Sequence, residues 1–161
     1  MVTFILSILA VLSGFCFLLA GIQDYKFRRV SDLITSTMWI LLFLAGSVDP
    51  NMFYVAIASF SLMFMANTLY LNRKRTPAFG WGDILVAPVF AAWVFTLVNF
   101  WIAAVILVFG LLLPYIQYVL HQSFVKKKDV TWQQLLKAKM DVPMVSNMAV
   151  AFGIALIGAI I

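Results

Sequence analysis

The chain has no glutamate, one cysteine and one histidine, and only 11% of its 161 residues are charged. Each shortage excludes something. A lone thiol, Cys16, cannot form an intramolecular disulfide, and without a CxxC pair there is no zinc-ribbon framework. Cys16 lies in an apolar run and is expected to be a packed thiol. One histidine, His121, leaves no partner set for a serine or cysteine triad and no His/Cys/Glu cluster for a metal. No cofactor and no metal are expected. The scarcity of charge excludes an ordinary soluble domain, which is about a quarter charged and about half apolar. Here 65% of residues are hydrophobic and the mean hydropathy is +1.05. No Gly/Ser linker, repeat or low-complexity tract divides the chain, so residues 1–161 are expected to form one membrane domain.

A membrane span needs about 20 apolar residues, and shorter ones are tolerated where the bilayer thins or packing allows. Six runs qualify: Val2–Ile22, Leu33–Val48, Met52–Leu71, Ile84–Val98, Phe100–Leu120 and Val142–Ile161. No basic residue precedes the first, so it is expected to be a membrane helix rather than a cleaved signal. The predicted fold class is an all-α integral membrane protein, a bundle of six transmembrane helices.

The eleven basic residues fall in three connections only: Lys26, Arg28, Arg29; Arg73, Lys74, Arg75; and Lys126, Lys127, Lys128, Lys137, Lys139. With alternating spans, all eleven lie on one side, which the positive-inside rule makes cytoplasmic. Both termini are then extracytoplasmic. The formal charge of +5 therefore reports topology and attraction to anionic lipid, not nucleic-acid binding. The segment Asp129–Lys137 alternates apolar and polar residues at helical spacing; it reads equally as an interfacial amphipathic helix or as a basic tether.

All six acids are aspartates. Asp49, beside Pro50 and Asn51, reads as a turn residue. Asp129 and Asp141 lie in the long basic loop, and Asp141 is placed to cap the sixth span. Asp32, next to Ser31, reads first as a helix cap for the second span. Asp24 directly follows the first span and Asp83 directly precedes the fourth. Topology puts both at the cytoplasmic membrane boundary although 59 residues separate them. An ionisable group at the mouth of a membrane helix points to function, because desolvating it is costly. Gly80 and Gly82, just before Asp83, are expected to let another backbone come close.

Two neighbouring carboxyls have a specific chemical use. They cannot both ionise cheaply and so share a proton. The ionised one takes a proton from water, and the protonated one donates to the carbonyl under attack. Lys26, Arg28 and Arg29 are near enough to tune the pair. Among the remaining polar and aromatic residues, His121 fits a helix terminus, and Asn67, Thr68 and Asn99 fit interhelical or interfacial hydrogen bonds. Pro88 is expected to bend the fourth span, and Trp81, Trp93 and Trp101 fit interface or packing positions.

Gly80-Trp81-Gly82-Asp83 resembles the GxGD signature of intramembrane aspartyl proteases. Asp24-Tyr25-Lys26-Phe27-Arg28-Arg29-Val30-Ser31-Asp32 resembles the first-aspartate motif of type IV prepilin peptidases. Ser31-Asp32 stands where Pro-Asn is common, which is closer to the archaeal preflagellin and prepilin peptidases. Asp141-Val142-Pro143-Met144-Val145 resembles the family's entry to its last helix. The order Asp24-Tyr25, at a helix exit, departs from the presenilin-like branch, which places a Tyr-Asp motif within a helix. The resemblance implies catalytic Asp24 and Asp83, with Gly80, Gly82, Arg28, Arg29 and Asp32 in support. It implies a multi-pass cell-membrane peptidase facing the cytoplasm. Its substrates would be prepilin-like or preflagellin-like membrane proteins, cut between a short basic leader and an apolar helix. The paired cysteines and extra length of the bifunctional enzymes are missing, so no N-methyltransferase activity is implied.

Two other classes compete with this reading. A small ion- or proton-coupled transporter would use the same aspartates, but it calls for acids at mid-membrane depth. A non-catalytic assembly subunit would need neither acid.

Overall fold

The computed structural model describes residues 2–27, 29–74, 80–99, 101–106, 108, 116 and 144–160. These residues are helical or in short connections, with no strand among them, so the architecture is all-helical. The helices are α1 (Val2–Phe27), α2 (Asp32–Gly46), α3 (Asn51–Lys74), α4 (Trp81–Leu97) and α5 (Met144–Ile160). Residues 101–106 form a further helical stretch, the only continuous described part of the run expected over Phe100–Leu120. Arg28, Arg75, His121, the lysines from Lys126 to Lys139, the segment Asp129–Lys137, Asp141 and Pro143 lie outside the described residues.

Several helix boundaries differ from the expected spans, and two that move outward matter. α1 runs on to Phe27 instead of ending at Ile22, so Asp24 lies inside its last turns. The helix-exit part of the departure from the presenilin-like setting therefore does not hold, since Asp24 is within a helix; the order Asp24-Tyr25 still departs from it. α4 starts at Trp81 instead of Ile84, so Asp83 lies in its first turn. Hydropathy marks where a chain stops being apolar. Backbone hydrogen bonding continues through polar residues, and a basic residue such as Lys26 in the last turn of α1 favours the helix there.

Two stretches, Thr3–Phe27 and Asn51–Arg73, are long and apolar enough to cross a membrane. Asp32–Gly46, Trp81–Leu97 and Met144–Ala159 are apolar but shorter. At 1.5 Å per residue these reach roughly 22–26 Å, less than the ~30 Å of a typical hydrocarbon layer.

α4 is apolar on every side, as a helix in the middle of a bundle must be. Ile84 and the run Val86–Val94 are buried, and α4 packs on α2, α3 and α5. α1 packs on α5 and α2. Phe17 of α1 joins three helices: it stacks on Phe152 of α5 at 4.6 Å and meets Phe90 of α4 edge-on at 6.0 Å. The outer faces carry Phe4, Phe15, Leu18, Ile57 and Leu62 exposed. Trp93 is fully buried, whereas Trp81 and Trp101 are exposed.

Local chemistry sets the connections. Asp49 Oδ1 accepts from the backbone N–H and the side-chain amide of Asn51 at 3.1 and 3.0 Å, the expected turn. Asn99 caps the 101–106 stretch, its Oδ1 accepting from Ile102 N–H at 3.0 Å. Thr68 bonds back to Phe64 of its own helix at 2.8 Å. The interhelical or interfacial expectation for Asn99 and Thr68 thus gives way to bonds local to their own helices, because a short polar side chain reaches its own backbone first.

Candidate functional site

Four helix ends meet at one end of the bundle: the C-terminal end of α1 and the N-terminal ends of α2, α4 and α5. Between them is a cavity of about 340 Å³, lined by Asp24, Arg29, Val30, Asp32, Thr35, Gly80, Trp81, Gly82, Asp83, Leu85 and Val145. Six of the seven residues expected to be functional therefore line it; the seventh, Arg28, lies outside the described residues. The walls present three carboxyls and one guanidinium.

Asp24 is buried. Its Oδ2 accepts hydrogen bonds from the backbone N–H groups of Val145 at 2.9 Å and Ser146 at 3.3 Å. These belong to the first turn of α5, where N–H groups have no partner within the helix and the dipole favours an anion. Ser146 also donates its hydroxyl to the Gly21 carbonyl at 2.6 Å. Close packing makes this possible: a Cβ on Gly21 would lie 2.9 Å from Ala149 Cβ and 3.3 Å from Ser146 Cα.

Asp83 is half-buried and held locally. Its Oδ2 accepts from Gly80 N–H at 3.1 Å, closing the first turn of α4. Asp83 sits one residue ahead of the apolar stretch Ile84–Val98. Burial pushes its carboxyl up to about 6; the Gly80 N–H opposes this and the charge of Asp24 adds to it.

The connection after α1 brings the rest into place. Gln23 Oε1 accepts from Ser31 N–H at 2.9 Å, folding the chain back over the end of α1. Ser31, not Asp32, is the cap of α2: its hydroxyl accepts from Ile34 N–H at 3.3 Å. Ser31 has the extended backbone of a cap, and Asp32 occupies the first helical position, where its charge suits the dipole. Thr35, buried on the same helix, donates to the Ser31 carbonyl at 3.2 Å. Trp39 Nε1 donates to the Leu85 carbonyl at 3.0 Å. That bond ties α2 to α4 three residues before Pro88, whose ring supplies no N–H to the helix ladder.

Among the described residues no other backbone lies close to the GxGD glycines: a Cβ on Gly82 would meet Val30 Cγ2 at 4.0 Å, and one on Gly80 would meet Asp83 Oδ2 at 3.4 Å. Gly80 has φ −69°, open to any residue. Both border the cavity, so their missing side chains leave it room. The glycine that permits close helix approach is Gly21, which the sequence argument passed over together with Ser146; Val145 entered it only as part of the motif before the last helix. A weak signal was present: Gly14 and Gly21 stand seven residues apart, about two turns along one face of an apolar helix.

Chemically, two carboxyls facing one cavity can activate water between them, one as base and one as acid. Among the described residues no group of three or more His, Cys, Asp or Glu side chains is placed to hold a metal ion. No protein-family model, curated protein or solved structure matches this chain. The likeness to the peptidases therefore stands on the residues that carry it.

Proposed function

We propose that this chain is a multi-pass membrane aspartyl endopeptidase of the prepilin and preflagellin peptidase type. In this reading it has six spans, both termini extracytoplasmic and the cavity at the cytoplasmic boundary. It removes a short basic leader from pilin-like or archaellin-like precursors, and no nucleic acid or cofactor takes part. One observation carries the proposal: Asp24 and Asp83, from helices far apart in sequence, face the same cavity at one end of the bundle.

The two settings divide the roles. Asp24, on two N–H donors, acts as the base. It takes a proton from water while the water oxygen attacks the scissile carbonyl carbon. Asp83, whose burial favours the protonated acid, donates its proton to the carbonyl oxygen. Collapse of the tetrahedral intermediate breaks the C–N bond; the proton gathered by Asp24 passes to the leaving amine, and a hydroxyl of the intermediate returns its proton to Asp83 as the new carboxyl forms. No covalent intermediate forms.

Co-expression with a pilin-like precursor tests this, scored by the shortened product. Asp24→Asn and Asp83→Asn are each expected to lower cleavage by about 10²–10⁴-fold while the protein still inserts. Normal processing by either variant would sink the proposal. Ion flux in proteoliposomes that disappears with Asp83→Asn would move the assignment to a transporter.

A further inference from the structure

We propose that the N-terminal end of α5 is the positioning element for Asp24, with Ser146 as its clamp. The consequence for catalysis rests on the peptidase reading; the geometry does not.

Gly21 and Asp24 are three residues apart on α1 and so share a face. Ser146 engages both. Its hydroxyl donates to the Gly21 carbonyl at 2.6 Å, and its N–H donates to Asp24 Oδ2 at 3.3 Å. Val145 N–H adds the shorter bond, 2.9 Å. The clamp therefore grips α1 at two points one turn apart. It works only because Gly21 carries no side chain: its Cβ would sit 2.9 Å from Ala149 Cβ. Real Cβ atoms do not come that close, so α5 would have to move away, and the N–H groups would leave Asp24.

A plain structural role, with Asp24 merely capping α5, explains the hydrogen bonds alone. It does not explain why this cap sits at the cavity. Val145 and Asp24 both line that cavity, together with Asp83. The turn of α5 that fixes the carboxylate is thus also part of the wall around it. The seat of α5 on Gly21 sets where the Asp24 oxygens point and how firmly its charge is held. Ser146 acts through Asp24 and is a positioning residue, not a catalytic one.

The test uses the full chain in detergent micelles with four variants: Ser146→Ala, Ser146→Thr, Gly21→Ala and the double exchange Gly21→Ala/Ala149→Gly. One readout is kcat, KM and the pH profile on a pilin-like precursor. The other is modification of Asp24 by a hydrophobic carbodiimide, which attacks protonated carboxyls, followed by peptide mass. Ser146→Ala and Gly21→Ala are expected to lower kcat about tenfold, the scale of one lost hydrogen bond. KM should stay near the wild-type value, the pH profile should shift, and Asp24 should be modified several-fold faster. Ser146→Thr keeps the hydroxyl, and the double exchange restores the space; both should recover much of the loss. Wild-type pH profiles and wild-type modification in both Ser146→Ala and Gly21→Ala would overturn the proposal. If the wild type cleaves no precursor, the peptidase reading falls, and the modification rates alone still decide whether α5 positions Asp24.

Discussion

Asp24 and Asp83 face one cavity but are held in unlike ways. Asp24 is buried and gripped across the fold by Val145 and Ser146, more than 120 residues later in the chain. Asp83 is half-buried and gripped by Gly80, three residues earlier. A local grip forms whenever its own helix forms. A distant grip exists only once α1 and α5 have packed, so the position of Asp24 reports on the assembled bundle. The same contrast separates the chemistry: one carboxyl meets donors that suit its charge, and burial favours the neutral form of the other.

The largest difference should appear when each side chain is removed outright. Asp24→Ala strands two N–H donors at a buried helix end, an expected loss of about 3 kcal/mol from the unsatisfied pair. Asp83→Ala removes one local cap, an expected loss of about 1 kcal/mol. Thermal unfolding of both variants in the same micelles measures the gap. Equal losses would end the distinction between distant and local grip. The asparagine variants should cost less, since an amide oxygen still accepts, and so separate chemistry from stability.

A smaller effect should follow pH. The Asp83 carboxyl is raised from its ordinary value of 3.8 to about 6, chiefly by burial. Protonation is thus favoured in the folded state. The resulting stabilisation is complete below about pH 4 and is lost as pH rises through about 6. Because Asp83 is half-buried, screening holds the effect to about 1 kcal/mol. Wild-type stability should therefore fall relative to Asp83→Asn between pH 4 and 7, and cleavage should decline above pH 6 as the proton donor is lost. Parallel stability curves for the two proteins would remove Asp83 as the titrating group.

The same local-against-distant divide governs what the sequence could show. Asp83 and its glycines were visible because the motif is contiguous and the apolar run after it is long. Charge topology put Asp24 at the same end as Asp83, needing only the order of spans and basic loops, and the two do line one cavity. Its partner on α5 was not visible, because backbone N–H groups are the same in every residue and leave no mark in composition. The N–H groups of Val145 and Ser146 go to Asp24 from another helix. Helix ends were misjudged by a turn or so at Asp24 and Asp83, since polar residues end an apolar run without ending a helix. Ser31 is the α2 cap because it is the extended residue just before the first helical one, Asp32. The glycines were assigned by motif, and only coordinates distinguish a glycine that seats a neighbouring helix from one that borders a space.

That last distinction gives the finest test. Gly82 lies in the first turn of α4, and among the described residues an added Cβ would meet only Val30 Cγ2 at 4.0 Å, an ordinary contact. Alanine is the better helix former by up to about 1 kcal/mol, less at a helix end. Gly82→Ala should therefore leave stability unchanged or raise it by a few tenths of a kcal/mol, where Gly21→Ala should lower it. The new methyl enters the cavity shared by Asp24 and Asp83. If an extended substrate backbone lies there, KM for a pilin-like precursor should rise while the fold is untouched. A stability loss matching that of Gly21→Ala would make Gly82 a packing glycine after all. An unchanged KM would place the substrate away from this wall and leave Gly80 as the remaining opening beside Asp83.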